Sequence, residues 1–335
     1  MKKVFLLLAV SVLSVAAIAQ KMAAKKAEPA KLSKNGWARG VNMYIGLTQV
    51  GNNSWYTTGG DKFTLAASGE LNAYTGKKWK NKQVQANLDA AYGLLNTTSD
   101  GVTKLNDRLE LSGRYLMTPK NWKKLSVGSY LGLRTQFTDG FIHDYMGEQG
   151  VKRRKSGFFA PAFITFAPIG LELQPCEDFS VFASPLTARW TVITNAAYSY
   201  LGQGGVYKGN AENSLASLYN VDPAKEHKGE FGMYANVAFK KMLMKNIWFD
   251  SKLEVFGNYL NGYKNILPSK FLNFDMFMTN KVNFKVNKYI KVMYSLDLLY
   301  DDDMKQPNNS SIILPSKSLG LQALSTLGVG FTAKF

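Results

Sequence analysis

The stretch Leu105-Asn106-Asp107-Arg108-Leu109-Glu110-Leu111-Ser112-Gly113-Arg114-Tyr115-Leu116-Met117 decides the fold. Leu105, Leu109, Leu111, Gly113, Tyr115 and Met117 fall on one side of a two-residue period, and Asn106, Arg108, Glu110, Ser112 and Arg114 fall on the other. Successive side chains of a strand point to opposite faces, so this segment reads as a strand with one apolar and one polar face. Val84, Ala86, Leu88, Ala90, Tyr92 and Leu94 repeat the pattern against Gln83, Gln85, Asn87 and Asp89. Ile290 to Tyr300 does the same against Lys291, Ser295 and Asp297. Such segments are long for ordinary strands, whose usual length is about five or six residues. They suit strands that cross a bilayer at a tilt, which need roughly 9–11.

Working outward from this segment, the same alternation marks strands near residues 41–50, 62–74, 79–95, 104–118, 122–138, 157–173, 178–194, 229–242, 246–260, 270–283, 288–300 and 318–335. These twelve form an even set, and their connections alternate between short and longer ones. Short periplasmic turns facing long outer loops are the pattern of a bacterial outer-membrane barrel. The expected fold is therefore all-β, a membrane-spanning antiparallel β-barrel of about 12 strands. A soluble exported β-sandwich is the alternative, and it gives no reason for the asymmetry of the connections.

The chain ends agree with this. Lys2 and Lys3 precede an apolar run from Val4 to Ala19, and Ala17-Ile18-Ala19 has the small-x-small pattern of a signal-peptidase site. Residues 1–19 are read as a signal peptide cleaved after Ala19, since the apolar run is short of the roughly 20 residues of a spanning helix. Residues 20–40 form a flexible basic lead-in, and 41–335 the barrel. At the other end Leu327, Val329, Phe331, Ala333 and Phe335 alternate up to a terminal phenylalanine, which resembles the strand signal read by the barrel assembly machinery. Tyr44, Tyr74, Trp79, Tyr115, Trp122, Trp248, Tyr259 and Tyr300 fall near strand ends, where interfacial aromatic girdles belong.

Composition sets further limits. Of 335 residues 46% are hydrophobic and 13% aromatic, which excludes a disordered chain. Lys and Arg number 41 against 24 Asp and Glu; without Lys2 and Lys3 the mature chain still carries +15. Outer-membrane lipids and lipopolysaccharide are the anionic partners such a charge implies. Nucleic acid is excluded by export and by the lack of any binding motif. Cys176 is the one cysteine, and His143 and His227 are too few for most metal sites, so neither cofactor nor metal is expected.

Several segments are familiar in one order: Asn87 to Leu94, Asn106 to Leu111, Arg134 to Phe141, Phe159 to Ala162, Ser184 to Thr187, Phe256 to Leu260 and Tyr300 to Asp303. Together they resemble an uncharacterised outer-membrane-barrel-like family of Bacteroidetes, catalogued only as a domain of unknown function, over roughly residues 47–303. The resemblance implies a fold and a compartment in a Gram-negative bacterium, and brings no activity.

The chemistry is then read from the residues. Asp89, Arg108, Glu110, Arg114 and Arg134 are expected to share the barrel interior, either as a selective pore lining or as paired charges filling a narrow lumen. Lys152-Arg153-Arg154-Lys155 is expected in an outer loop, as an anion-binding site or a solvated edge. His143 beside Asp144, with Ser156 in the same loop, is the one arrangement from which a lipid-modifying hydrolase could be built. Asp301-Asp302-Asp303 lacks the ligand periodicity of a calcium loop. Gly202-Gln203-Gly204-Gly205 lacks the strand-to-helix context of a phosphate loop. The expected protein is thus a non-enzymatic narrow channel or surface-binding barrel that prefers anionic solutes or lipid headgroups, with the enzyme as alternative.

Overall fold

A computed structural model describes residues 36–53, 63–97, 101–143, 149–193, 200–201, 207–208, 215–222, 224–259, 273–301 and 320–334. Along the chain run β1 (Trp37–Asn53), β2 (Phe63–Trp79), β3 (Lys82–Thr97), β4 (Gly101–Met117), β5 (Leu125–Thr135), β6 (Gly140–Ile142), β7 (Lys152–Ser156), β8 (Ala162–Cys176) and β9 (Phe179–Val192). There follow β10 (Tyr200–Leu201), β11 (Tyr207–Lys208), α1 (Leu215–Leu218), β12 (His227–Met244), β13 (Ile247–Asn258), β14 (Asn273–Lys285), β15 (Ile290–Tyr300) and β16 (Leu321–Lys334).

Twelve of the strands close into an antiparallel barrel in the order β1-β16-β15-β14-β13-β12-β9-β8-β5-β4-β3-β2. The ring is sealed where β1 meets β16, from Asn42 opposite Lys334 to Asn53 opposite Ala323. At that seal Gly46 faces Gly330, and a Cβ on either would strike the backbone of the other strand. The missing side chains also make room for the Tyr44 hydroxyl beside Gly46 and Gly328. The remaining four strands, β11-β10-β7-β6, make a second small sheet that the alternation did not reveal.

On the outside, Ile45 and Leu47 of β1, Leu327, Val329 and Phe331 of β16, Leu131 of β5 and Ile169 and Leu171 of β8 are all more than 45% exposed, and Tyr92 of β3, Leu111 of β4, Leu186 of β9, Phe231 of β12, Phe284 of β14 and Tyr294 of β15 are exposed between these two stretches of the ring. An apolar belt of that extent is not stable against water, so this surface faces hydrocarbon. Closure leaves the twelve-stranded ring without an edge whose backbone groups would lie unpaired in lipid.

Four details differ from expectation. β1 begins at Trp37 rather than at 41, because Trp37, Ala38 and Arg39 still find partners in Lys77, Gly76 and Thr75 of β2. The alternation of connection lengths fails once: the β3–β4 ladder runs out to Thr97 opposite Gly101, leaving three residues there, while β4 and β5 are joined by seven. Leu105 does not face lipid. A register shift opposite Gly93 and Leu94 turns it inward, where it packs on Ala66, Leu95 and Leu324, since one extra residue reverses the faces of a strand. Tyr44 is 2% exposed and lies under the Lys291 ammonium, so it is no girdle residue; Tyr115, Trp122 and Tyr259 are exposed as expected. Residues 1–35 and Phe335 lie outside the described residues, and with them the signal peptide and the last position of the terminal strand signal.

Candidate functional site

Charged side chains on the inner wall find their partners across the lumen. Arg134 of β5 donates from Nε to Glu110 of β4 at 2.6 Å and from Nη2 to Glu254 of β13 at 3.0 Å. Lys252, also on β13, reaches Glu254 at 2.7 Å and Glu110 at 3.9 Å. β4 and β13 stand five places apart in the ring of twelve, so this quartet forms a bar from one side of the barrel to the other. The Arg134 guanidinium also lies over the Phe277 ring at 4.2 Å, a cation–π contact that holds its plane in the lumen.

Further links cross the same interior. Arg114 meets Glu172 at 2.6 Å and extends to Asn236 of β12. Lys281 of β14 meets Glu70 of β2 at 3.2 Å. Arg189 meets Glu230 at 2.7 Å and pairs closely with Asp275. Asp89 accepts from the Asn72 amide, which in turn faces Asn42. All five lumen charges expected from the sequence are therefore on the inner wall, joined by Glu70, Glu172, Arg189, Glu230, Lys252, Glu254, Asp275 and Lys281. Two carboxylates and two cations in mutual contact satisfy each other's desolvated groups, the condition under which buried charge is tolerated.

The long-loop end is covered. α1 and the turn after it bury Leu215, Ala216, Leu218, Tyr219 and Val221 against Ala160 and Ile193, with Phe163 and Leu299 packed on the cluster. Phe163 belongs to β8 and Leu299 to β15, five places apart in the ring, so the helix lies across the mouth. The Tyr219 hydroxyl donates to the Lys155 carbonyl at 2.8 Å, fixing this cap to β7.

Here the reading of Lys152-Arg153-Arg154-Lys155 as a loop is corrected. The run is strand β7, paired with β6 and β10, and Arg153 and Lys155 are buried at 3% and 4% exposure while Arg154 meets Asp139 at 2.7 Å. The long basic stems alternate into the cap and do not form an open anion-binding loop. Sequence gave no sign of this, because a run of four cations has no apolar period.

β4 holds the cap through one knot of polar atoms. Lys104 Nζ donates to Asp107 (3.0 Å), Gln136 (3.0 Å), the Thr138 carbonyl (2.9 Å) and Ser156 Oγ (2.8 Å). Asp107 in turn accepts from the backbone amides of Phe137 (2.7 Å) and Thr138 (2.9 Å). Gly140 belongs here because a Cβ would meet Ser156 Oγ and the Lys104 stem. Ser156, 2% exposed, is thus an acceptor for an ammonium ringed by oxygens. His143 lies in the loop before β7; Asp144, Gly202–Gly205, Asp302 and Asp303 lie outside the described residues. Among the described residues no group of His, Cys, Asp and Glu is placed to hold a metal ion.

Between the bar and the cap is a chamber of about 230 Å³, walled by Leu105, Arg108, Phe163, Tyr219, Phe277, Asp297 and Leu324 among others. At the opposite end of the barrel lysine predominates. Lys78, Lys80 and Lys82 at the first turn, Lys120, Lys123 and Lys124 at the second, Lys240 and Lys245 at the fourth, and Lys285 and Lys288 at the fifth are all exposed. The excess of positive charge therefore gathers at four of the five short turns, the third carrying Glu177 and Asp178 instead, while the lumen is mixed.

Residues 47–141 match the model of a family described as "Protein of unknown function (DUF3078)". That span runs from β1 to β6 and contains the Lys104–Asp107–Thr138 knot. No curated protein matches the sequence. Among solved structures, the translocator domain of autotransporter NalP from Neisseria meningitidis is similar at 10% identity over 98% of this chain and 97% of that one, with a TM-score of 0.34. An outer membrane channel from Pseudomonas putida F1 is similar at 9% identity over 92% and 100%, TM-score 0.38. Outer membrane phospholipase A from Escherichia coli is similar at 9% identity over 87% and 95%, TM-score 0.35.

Proposed function

We propose that this protein is a non-enzymatic β-barrel of the outer membrane of a Gram-negative bacterium, and that it binds a solute in its lumen without conducting ions through it. The observation that carries the reading is the Glu110–Arg134–Glu254–Lys252 bar, which crosses the lumen beneath a helix that crosses the mouth. A channel lining leaves its charges free to exchange with passing ions. Here they are engaged with one another at 2.6–3.0 Å.

Export by a signal peptide cleaved after Ala19 and insertion through the β16 strand by the barrel assembly machinery complete the proposal. The lysines of the short-turn end then sit at the inner interface, where each is worth about 1 kcal/mol against anionic headgroups. The preference for lipid headgroups thus moves from the β7 run to the turns, and lipopolysaccharide is left to the apolar belt and the long loops.

The test is conductance of the refolded protein in a planar bilayer, with folding verified by the shift in gel mobility on heating. Silence from correctly folded protein is expected. Sustained stepwise currents would overturn the closed-lumen reading and return the inner arginines to the role of a pore lining.

A further inference from the structure

Of the inner-wall arginines Arg108, Arg114, Arg134 and Arg189, three have a carboxylate at 2.7 Å or closer. Arg108 has none: its nearest is Glu110 at 3.9 Å, and that carboxylate is already held by Arg134. The Arg108 Nε is buried without a hydrogen-bond partner. A guanidinium carries five donors in a fixed fork, and leaving one of them unmade inside a protein is costly.

Across the chamber stands an acid that likewise has no close ion-pair partner. Asp297 on β15 is 8% exposed, and among the described residues no cation comes within ion-pairing distance; its one hydrogen bond is from Ser295, at 3.4 Å. β4 and β15 are five places apart in the ring, so the two charges face each other over the space between them. The other ionised groups around the chamber are committed elsewhere: Lys104 to Asp107, Arg134 and Lys252 to Glu110 and Glu254, and Arg189 to Glu230 and Asp275, with Asp301 also in the field of Arg189. Beside the gap lie Leu105 and Leu324, which pack together from β4 and β16. The volume of about 230 Å³ is below that of sites for drug-sized molecules, which start at about 300 Å³.

We propose that this chamber is a binding site for a small zwitterion, an α-amino acid with an apolar side chain, whose carboxylate is held by Arg108, whose ammonium is held by Asp297, and whose side chain lies on Leu105 and Leu324. A planar carboxylate matches the guanidinium fork in two parallel hydrogen bonds. An ammonium gives Asp297 a contact partner, where the fold supplies only the more distant charge of Arg108 across the gap. A ligand carrying one charge alone would leave the opposite wall as it is now, so the pair of walls selects for both charges on one molecule.

The inference rests on the lumen being a closed chamber; conductance tests that reading and ligand titration tests this one, so each can fail alone. Full-length protein refolded in detergent, checked for heat-modifiable mobility, would be titrated calorimetrically with L-leucine, L-leucinamide and N-acetyl-L-leucine. Leucine is expected to bind at least tenfold more tightly than either derivative. Arg108→Gln should abolish the preference over the amide and leave that over the N-acetyl compound; Asp297→Asn should do the reverse. Equal binding of leucine and N-acetyl-leucine to the unaltered protein, or no heat of binding from protein that is demonstrably folded, would overturn the proposal without reference to any variant.

Discussion

From β13 round through β16 and β1 to β3 every ladder runs without a break in register, whereas each of the four junctions between β5 and β13 carries at least one shift. The even wall turns small polar groups inward: Thr48 against Ser68, and Asn42, Asn72 and Asp89 in a row. The uneven wall turns rings inward. Tyr130 stacks on Tyr234 at 5.1 Å, with Phe182 at 6.5 Å from Tyr234, and Phe256 completes the buried cluster. A bulge bends its strand and re-aims a side chain, and Pro168 and Pro185, lacking an N–H, interrupt the ladder where β8 meets β9. The difference teaches that one barrel uses two ways of filling its interior: the straight wall takes polar chains and separate rings such as Tyr44 and Phe277, each set against a cation, while a packed cluster of rings needs a wall that yields.

The largest effect expected from this contrast is at Phe182, which is 1% exposed and lies where a Cβ on Gly170 would touch it. Phe182→Ala should cost about 3–5 kcal/mol in urea unfolding. Asn72→Ala, on the even wall, should cost about 1.5–3 kcal/mol, the worth of a hydrogen bond to a charged group, here the Asp89 carboxylate. Similar losses at the two sites would mean that the rings do not carry the uneven wall. Outwardly the two walls should be alike. Leu47→Arg on β1 and Leu171→Arg on β8 each place a cation among lipid-exposed neighbours, at about 2–4 kcal/mol near the midplane. A negligible cost for Leu171→Arg alone, measured by unfolding from vesicles, would show that the uneven wall is turned away from hydrocarbon.

Hydrogen exchange probes the same contrast without mutation. Protection follows local opening, so the amides of Ile169 and Leu171 are expected to exchange at least about tenfold faster than those of Leu71 and Ala73, which sit in unbroken ladders on both sides. Equal protection would mean that the shifts in register leave the uneven seam as firmly paired as the even one.

The even wall was the legible one. In β15 the opposition of Tyr294 to Ser295 and Asp297 reads directly off the chain, because an unbroken ladder keeps the two-residue period intact. In β4 the same period puts Leu105 on the lipid face, and the sequence carries its own warning: Asp107 shares its parity with Leu105 and Leu109, and a carboxylate does not belong on a lipid face. The extra residue turns Leu105 inward, while Asp107, on the same side of the shift as Leu109, is satisfied by accepting the amides of Phe137 and Thr138 that begin the cap. Arg134 and Glu110 could be placed on the inner wall from parity alone. Their partner Glu254 could not, because a bond between β5 and β13 depends on the diameter of the closed ring and no local pattern reports it. The cap was hidden for a related reason, since β6, β7, β10 and β11 are too short for periodicity to mark them.

The smallest effect, and the one that bears most directly on why the uneven wall holds, is at Ser184. The register between β8 and β9 jumps from Ile169 opposite Leu186 to Leu171 opposite Ala183, and Pro185 sits in the gap. A backbone carbonyl left unpaired inside a membrane-facing wall has no water to turn to. Ser184 Oγ lies 2.7 Å from the carbonyl of Ile169 and 2.9 Å from that of Leu186, within donating distance of both sides of the interruption, and the residue is 2% exposed. Ser184→Ala removes that donor and should cost about 1–2 kcal/mol in unfolding. It should also raise exchange at Leu171 while leaving Leu71 unchanged. Ser184→Thr keeps the hydroxyl and should restore most of the loss. If alanine and threonine behave alike, the hydroxyl is not what closes the gap, and the uneven wall is held by the rings behind it alone.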